Sequence, residues 1–214
     1  MAGSAAIVVM CALTAACSSE GGESAAEGGS AAQTSAAAKT DSQAVVLYPE
    51  LLEGVLPRGI NMPPDVSQER TVKAWDMSDP FICQSEEWRD DMCAKAVAVG
   101  SGGYTDLDSQ EVVVRLISFD DPTTADAMFE GEGTVGEVGQ NPPGDEIDGY
   151  EAMSPADGWG GRGFNVRQGA VIAKVEYGWA EDSEVSDRLM DITKMVVERI
   201  RQAQSGDNPT ASLR

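Results

Sequence analysis

Strongly apolar runs mark the strands that the chain is expected to form. Residues 111–119 read EVVVRLISF, and their nearly continuous apolar character predicts a central strand bounded by polar turns. Further on, GRGFNVRQGAVIAKVEYGW predicts a hairpin, because Phe164 and Val166 alternate with polar residues before a turn at 168–169. Residues 171–177 form the returning strand of this hairpin.

Two shorter strands and an irregular segment complete the predicted sheet. Residues 96–100 form a strand, with the glycine-rich residues that follow as its connection to the central strand. Residues 149–154 form another short strand. Earlier in the chain, residues 45–65 contain a short helix that starts at Pro49. The sequences PRG and MPPD then break any longer element, so we expect a loop that wraps the domain.

Two segments have the spacing of amphipathic helices. In DDPTTADAMFEG, Asp121 is suited to cap the N-terminus, Pro122 to start the helix and Gly131 to end it. A longer helix is predicted over 183–204, with Ser183 as its cap, acidic residues in its first turn and arginines in its last. Its apolar stripe is predicted to pack on the sheet and comprises Val185, Leu189, Ile192, Val196 and Ile200.

The order of these elements predicts the fold class. A strand pair, a helix, further strands and a final helix give an α+β fold, in which helices cover a twisted antiparallel sheet. One domain is expected over residues 45–204, an ordinary length for a single core. Residues 17–44 and 205–214 are expected to be a disordered linker and a disordered tail, because residues 18–44 contain no large apolar side chain to bury.

Composition narrows the classes of function. The 214-residue chain has a formal net charge of −21, so its surface repels phosphate backbones and we expect no nucleic-acid partner. The chain has no histidine, which removes Ser-His-Asp triads, Cys-His pairs and ordinary zinc sites. We therefore expect a protein that is not an enzyme and that uses no cofactor or metal.

The N-terminal residues predict an export signal. The apolar run at 5–16 is shorter than the roughly 20 residues that span a bilayer, but it matches the apolar core of a signal peptide. Small residues precede Cys17, and the stretch LTAAC resembles the lipobox of bacterial lipoproteins, with Thr14 where Leu or Val is more usual. The resemblance implies that residues 1–16 are removed as a signal peptide. It also implies that Cys17 is lipidated, with palmitate among its acyl chains.

A lipid anchor would determine where the protein works. A lipidated Cys17 would hold the domain on the outer face of the cytoplasmic membrane, with the linker as a flexible spacer. The alternatives are an ordinary secreted protein and a frayed terminal tail. Cys11 lies inside the apolar run and would be removed with the signal peptide.

Two further cysteines, Cys83 and Cys93, lie in FICQSEEWRDDMCAK, and in an exported chain such a pair predicts a disulfide. On one straight helix their Cα atoms would lie about 15 Å apart, whereas a disulfide needs less than about 7 Å. Cys83 must therefore lie outside the helix predicted from an N-cap at Ser85, with Glu86 and Glu87 in its first turn. A redox-active pair is the alternative, but the spacing is not CxxC.

The domain as a whole is similar to a known class of receptor domain. A cysteine-stapled helix precedes GSGGYTDLDSQEVVVRLISFDDPTTADAMF, and NVRQGAVIAKVEY then leads to a C-terminal helix. Over about residues 75–203 this order resembles the extracytoplasmic sensor-type domains of actinobacterial lipoproteins and receptor Ser/Thr kinases. The resemblance implies a twisted antiparallel sheet with flanking helices around a ligand-binding cleft. Such domains commonly carry two disulfides, whereas Cys83 and Cys93 supply one, so no binding residue is transferred.

Several residue clusters are candidate sites that also have simpler explanations. GWGGRGF at 158–164 lacks the strand–helix context and the Lys-Ser/Thr of a phosphate loop, so a flexible turn before the hairpin is expected. Asp106, Asp108 and Glu111 suggest calcium, but the EF-hand spacing is absent and a solvated loop is favoured. The same interpretation is given to Asp145, Glu146 and Asp148. Four aromatic residues are candidates either for lining a cleft or for capping the core: Trp75, Trp88, Tyr104 and Trp159.

Three hypotheses about function follow. The first is a membrane-anchored ligand-binding or sensor-type domain without catalysis, which requires a concave pocket and predicts thermal stabilisation by its ligand. The alternative is a regulatory envelope lipoprotein that acts through contacts with another protein, which requires an exposed apolar patch. A hydrolase would need a converging pair of carboxylates, of which the sequence has no sign. Besides the membrane, a small molecule and an envelope protein are therefore the expected kinds of partner.

Overall fold

An antiparallel sheet with helices on both faces forms the domain. The computed structural model describes residues 44–129, 141–151, 159–180 and 188–214. The strands are β1 (Val66–Asp76), β2 (Ala96–Asp106), β3 (Glu111–Phe119), β4 (Glu146–Glu151), β5 (Trp159–Gln168) and β6 (Val171–Ala180). The α-helices are α1 (Pro49–Val55), α2 (Pro80–Ser85), α3 (Asp90–Cys93), α4 (Pro122–Met128) and α5 (Arg188–Gln204), with a 3-10 turn at Gly59–Asn61.

The strand order is β1-β2-β3-β6-β5-β4, and every neighbouring pair is antiparallel. The predicted α+β class, with helices covering an antiparallel sheet, is therefore confirmed. So is the central position of β3, whose bounds match the predicted strand. The predicted signal peptide, Cys17 and nearly all of the linker lie outside the described residues.

One face of the sheet is covered by α1 and α5, and we call it the α5 face. Successive side chains of a strand point to opposite faces, so alternate residues share one side. Val112, Val114 and Leu116 of β3 belong to the buried cluster on this side, with Val175 and Tyr177 of β6. These residues, together with the helices that cover them, form the main apolar core.

The opposite face carries a second buried cluster, and we call it the disulfide face. Val99, Ile117 and Ile172 are neighbours across β2, β3 and β6. They pack with Trp88 and with the two cysteines of the α2–α3 segment. The helices that cover this face are therefore short, and a disulfide links two of them.

Both predicted amphipathic helices are present. Leu189, Ile192, Val196 and Ile200 are buried in the cluster of the α5 face, as predicted, whereas Ser183 and Val185 lie outside the described residues. In α4, Pro122 is the first helical residue and Asp121 caps the helix, because its Oδ1 accepts a hydrogen bond from Thr124 N at 2.8 Å. This helix ends at Met128, before Gly131, which is not among the described residues.

The apolar pattern of the sequence does not predict β1. Val66 and Val72 are the buried residues of this strand, and most of the other side chains are exposed. An edge strand pairs on one side and needs little apolar surface, so VSQERTVKAWD lacks the signal that identified β3. Pairing with β2, rather than side-chain burial, places this segment in the sheet.

Two glycine-rich stretches predicted as connections or turns are strands instead. β2 continues past residue 100 to Asp106, and GWGGRGF belongs to β5 from Trp159 onward. The β5–β6 turn is also shifted by one residue, because Gln168 pairs with Val171 and Gly169 takes a φ of +57°. Glycine weakens a strand in isolation, but pairing on both sides overrides that preference.

The cysteine segment forms two short helices instead of one helix capped by Ser85. Asp79 caps α2, and Ser85 is the last residue of that helix, with its hydroxyl donating to Ile82 O at 2.7 Å. Cys83 lies in α2 and Cys93 in α3, so Cys83 is outside the second helix, as predicted. The two cysteines form a disulfide with a Cα–Cα distance of 5.8 Å.

The C-terminal residues are packed against the domain and do not form the predicted disordered tail. Leu213 N donates to Asn61 O at 2.9 Å, and Leu213 also packs against the core of the α5 face. Arg214 donates from Nε to Met62 O and from Nη2 to Gly59 O, both at 3.0 Å. The prediction was wrong because it relied on the polar composition of the segment. Hydrogen bonds to a neighbouring turn hold the segment in place.

Candidate ligand-binding site

A row of polar residues crosses the disulfide face beside its apolar cluster. The strand register places Lys174 of β6 between Arg115 of β3 and Asn165 of β5. Asp148 of β4 pairs with Asn165 and continues the row to the edge of the sheet. Two residues before Lys174 on the same face, Ile172 is buried in the apolar cluster, so the row marks where that cluster ends.

A small pocket lies at this boundary between the sheet, the α2–α3 segment and the end of α4. Its cavity volume is about 40 Å³, which is room for about three water molecules or a small polar group. The pocket is lined by Trp88, Arg89 and Met92 of the α2–α3 segment, Met128 and Phe129 at the end of α4, and Asn165, Ile172 and Lys174 of the sheet.

Two buried polar atoms of the pocket residues have no hydrogen-bond partner. They are the indole Nε1 of Trp88 and the amide Oδ1 of Asn165, in side chains that are 4% and 5% exposed. Buried polar groups are almost always paired in folded proteins, and leaving one unpaired costs about 1–3 kcal/mol. Trp88 and Asn165 both line the cavity, so one unpaired donor and one unpaired acceptor belong to residues of its wall.

Lys174 adds a positive charge to the pocket. Its Nζ lies 5.2 Å from the centroid of the Trp88 ring, a cation–π contact, and no carboxylate of the described residues forms an ion pair with it. The neighbouring Arg115, by contrast, pairs with Glu176 and lies 3.2 Å from Glu87. A lysine without a carboxylate partner in such an acidic chain makes this pocket locally favourable for an anion.

Glu176 follows Lys174 on the same face but takes part in a separate network. Tyr150 donates its hydroxyl proton to Glu176 Oε1 at 2.8 Å, while Arg115 pairs with Oε2. Gly163 permits this arrangement, because a Cβ at that position would lie 2.4 Å from Cζ of Tyr150. Tyr150 and Arg115 therefore hold the carboxylate that is closest to Lys174 along the strand.

The disulfide supports one wall of the pocket. Trp88, Arg89 and Met92 lie between Cys83 and Cys93, so the covalent bond closes the loop that carries them. Arg89 binds the Asp91 carboxylate through Nε at 3.1 Å and Nη2 at 3.0 Å. It also reaches the backbone oxygen of Met128 at 3.5 Å, which brings this wall against the end of α4.

The carboxylates considered for calcium do not converge. Asp106 Oδ2 accepts a hydrogen bond from the Tyr177 hydroxyl at 2.7 Å, and Oδ1 accepts from two backbone N–H groups of the following turn. Glu111 instead pairs with Arg70 at 3.0 Å, and Asp108 is exposed. Within the part of the chain that the structure describes, no three His, Cys, Asp or Glu side chains could hold a metal ion.

The second acidic cluster is organised by an arginine. Arg167 binds Glu146 at 2.6 Å and Asp145 at 3.4 Å, and it also lies 3.1 Å from Asp126 of α4. Asp148 is 5% exposed and belongs to the polar row on the sheet. The prediction of a solvated loop was therefore wrong for Asp148, which is part of β4.

The four predicted aromatic candidates have different surroundings, and Trp88 alone among those described lines the pocket. Tyr104 is in the core of the α5 face, where its hydroxyl donates to Pro57 O and burial raises its pKa. Trp75 lies under Lys73 Nζ, 5.4 Å from the ring centroid, on β1. The side chain of Trp159 is outside the described part of the structure.

Asn165 and Lys174 are not among the site residues predicted from the sequence. A usable signal was present, because the alternation that assigns Phe164 and Val166 to the α5 face assigns Asn165 to the other face. Lys174 is likewise a charged residue inside the otherwise apolar AVIAKVEY. The missing information was the strand pairing that brings the two residues together.

No protein-family model matches the chain, and no curated protein is similar to it in sequence. The resemblance to bacterial sensor-type domains therefore remains a prediction. Cys17 lies outside the described residues, and none of the described helices is long and apolar enough to cross a membrane.

Proposed function

We propose that the chain is a membrane-anchored extracytoplasmic lipoprotein whose α+β domain binds a small polar molecule without transforming it. The binding site is the pocket on the disulfide face. The observation that carries the proposal is that two residues lining one small cavity, Trp88 and Asn165, each have a buried polar atom without a hydrogen-bond partner. A ligand with a hydrogen-bond acceptor next to a donor would satisfy both.

The surroundings of these atoms support a ligand that also has a short apolar part. Met92, Met128 and Ile172 line the same cavity, and methionine side chains adapt readily to the shape of a bound group. Burial of even a methyl group there would strengthen binding beyond what the hydrogen bonds contribute. A few polar groups in a mainly apolar concavity are typical of small-molecule sites.

Binding can be tested with propionamide, which combines an amide donor, an amide acceptor and a short apolar chain. The full oxidised chain, labelled with ¹⁵N, is titrated while the indole N–H signals of the tryptophans are followed. We expect a saturable shift of the Trp88 indole signal, because a new acceptor changes the environment of its proton. Trp88→Phe assigns that signal by its disappearance.

Two further variants complete this test. Asn165→Leu removes the acceptor and should weaken propionamide binding about tenfold, the loss expected for a buried hydrogen bond. Trp75→Phe is the matched control, since Trp75 also lies beside a lysine but outside the pocket, and it should leave binding unchanged. A Trp88 signal that does not move at saturating propionamide would overturn the proposed site.

The lipid anchor is supported by the sequence before Cys17 and by the disulfide, which suits an oxidising compartment. Mass spectrometry of the native protein is expected to find an N-terminus at Cys17 that carries acyl chains. Cys17→Ser should shift the protein from the membrane fraction to the soluble fraction. A native N-terminus at Met1, or an unmodified Cys17, would contradict the anchor and leave the pocket proposal unaffected.

A second candidate function, contact with another envelope protein, is favoured by apolar exposure near α1. Tyr48 and Leu51 are 57% and 46% exposed, and Val45 is 38% exposed. A photo-crosslinking residue at position 48 should capture one defined envelope protein in intact cells, whereas the same residue at position 108 should not. Equal capture from both positions would argue against a specific surface.

A further inference from the structure

We propose that the outer side of α1 docks a cationic segment of another envelope protein, one that presents basic side chains next to apolar ones. The docking surface, which we call the α1 patch, comprises Val45, Tyr48, Glu50, Leu51 and Glu53. This inference rests on the second candidate function, contact with an envelope protein, and names the chemistry of that partner.

The apolar part of the α1 patch is compact. Tyr48 O accepts a hydrogen bond from Leu52 N at 2.9 Å, so Tyr48 belongs to the first turn of the helix. Leu51 follows three positions later, and side chains at this spacing are neighbours on a helix. Tyr48 N donates to Val46 O at 3.2 Å, which makes a tight turn directly after Val45. An aromatic ring and two aliphatic side chains are thus exposed within one short stretch.

The structure beneath the α1 patch holds it in place. Leu52 and Val55 anchor the inner side of α1, since both are 0% exposed. Val45 N donates to Gln204 O at 2.9 Å, which ties the start of the patch to the end of α5. On the outer side of the helix, a Cβ at Gly54 would meet no atom within 4 Å. A preformed and open surface loses little conformational entropy when a partner binds.

The charged groups of the α1 patch are both acidic. Glu50 and Glu53 lie three positions apart, and neither carboxylate has an ion pair or a hydrogen bond with the residues that the structure describes. Like charges at this spacing repel each other. Glu53 also lies in the last turn of α1, where the helix dipole disfavours a negative charge. Lysine or arginine side chains of a partner would remove the repulsion and form two ion pairs.

Charge also distinguishes a cationic protein from other occupants of the α1 patch. A second copy of the chain would bring the same two carboxylates against the patch, because a two-fold interface uses the same surface on both subunits. Anionic lipid headgroups would be repelled by a chain of net charge −21. A basic and partly apolar segment is attracted by the carboxylates and can bury the exposed side chains of the patch.

The inference is tested with two probe peptides. One is a short amphipathic helix made of leucine and lysine, and the other has glutamate in place of each lysine. Each peptide is titrated into the full oxidised chain, labelled with ¹⁵N, at constant ionic strength. The lysine peptide should shift the amide signals of residues 45–54 in a saturable way, and the glutamate peptide should not. Isothermal calorimetry measures the dissociation constants.

Charge variants separate the α1 patch from the acidity of the whole chain. Glu50→Gln/Glu53→Gln should weaken binding of the lysine peptide about fivefold, the loss expected for two exposed ion pairs. Asp108→Asn/Glu151→Gln removes the same charge from exposed residues outside the patch, so this control should bind the peptide nearly as the parent chain does. Equal weakening in both double variants would show that net charge, and not the patch, attracts the peptide.

Apolar variants separate the α1 patch from exposure alone. Tyr48→Ser/Leu51→Ser should weaken binding of the lysine peptide about tenfold, because a buried aromatic anchor supplies much of the energy of a small interface. Phe81→Ser/Leu107→Ser is the matched control, since these side chains are 71% and 84% exposed but lie outside the patch. This control should bind like the parent chain, and an equal loss in both double variants would refute the patch as the docking surface.

The possible failures are separable. If both peptides bind alike, the cationic class is wrong, whereas capture of one envelope protein from position 48 would still support the second candidate function. If the lysine peptide binds without shifting the signals of residues 45–54, the α1 patch is not its docking surface. The pocket is tested independently with propionamide, so neither result bears on the small-molecule site.

Discussion

Arg199 of α5 donates a hydrogen bond from Nε to the carbonyl oxygen of Val55, the last residue of α1, at 2.6 Å. Its Nη2 donates to Gly54 O at 2.8 Å and its Nη1 to Ala211 O at 2.9 Å, and the side chain is 4% exposed. The last carbonyls of a helix have no partner within it, so Arg199 caps α1 from a distant helix. One buried side chain thus joins α1, α5 and the C-terminal segment.

Replacement of this arginine should be strongly destabilising. Arg199→Met keeps most of the apolar length but leaves the three carbonyl oxygens unpaired, so we expect a loss of about 3 kcal/mol in the free energy of unfolding. Urea denaturation measures the loss, and the melting temperature should fall by about 6–12 °C. Arg201→Met is the control, because the ion pair of Arg201 with Glu198 is exposed and is worth under about 1 kcal/mol. Equal losses for the two variants would contradict the capping role of Arg199.

Arg214 should hold the C-terminal segment in place. Arg214→Ala removes the hydrogen bonds to the carbonyls of Met62 and Gly59, so the segment should detach more often. We expect faster amide exchange at Leu213, whose N–H bonds to Asn61 O, and a melting temperature lower by a few degrees. Asp207→Asn, on an exposed residue of the same segment, should change neither. Unchanged exchange at Leu213 in Arg214→Ala would show that the arginine does not hold this segment.

The disulfide should stabilise the domain by restricting its unfolded chain. Cys83 and Cys93 are separated by 10 positions, and a loop of this length corresponds to about 2–3 kcal/mol. The double variant Cys83→Ser/Cys93→Ser should lose about this amount in urea denaturation and should bind propionamide more weakly, because Trp88 lies inside the loop. A reducing agent should destabilise the parent chain and leave the double variant unchanged. A parent chain that is insensitive to complete reduction would contradict the prediction.

Asp65 should make stability depend on pH in the acid range. A hydrogen bond from Arg188 lowers the pKa of Asp65 below its usual value, so the carboxylate is favoured in the folded state. This contribution is present above the unfolded pKa of about 3.9 and is lost as pH falls through the folded pKa. Asp65→Asn should therefore be less stable than the parent chain at pH 7, and the difference should shrink toward pH 2. Asp108→Asn, on an exposed carboxylate, should follow the parent chain, and a difference for Asp65→Asn that does not change with pH would refute the assignment.

The sequence predicts the parts of the fold that are determined by local apolar patterns. β3 and the stripe of α5 both have strong periodic signals and were assigned correctly. β1 was missed because its place in the sheet depends on pairing with β2, and the C-terminal segment was misjudged because Arg214 and backbone groups hold it without a large apolar surface.

The pocket was harder to predict than the fold. The sequence offered Trp88 as one of four aromatic candidates for lining a cleft. The antiparallel register of β5 and β6 pairs Asn165 with Lys174. The position of the turn at Gly169 sets this register. A turn one residue earlier would pair Asn165 with Ile172 instead of Lys174, so the two polar side chains would no longer be opposite each other. Pairwise register is thus the information that sequence patterns lacked.

The single disulfide gives the two walls of the pocket unequal stiffness. The wall that carries Trp88 and Met92 is covalently closed, whereas Met128 ends a helix of 7 residues that is held by its Asp121 cap and by packing. Thermal fluctuations that widen the cavity should therefore be concentrated on the α4 side, with the tryptophan nearly stationary. Selectivity for ligand shape would then vary with the sequence at the end of α4, while the hydrogen-bond geometry at Trp88 stays constant.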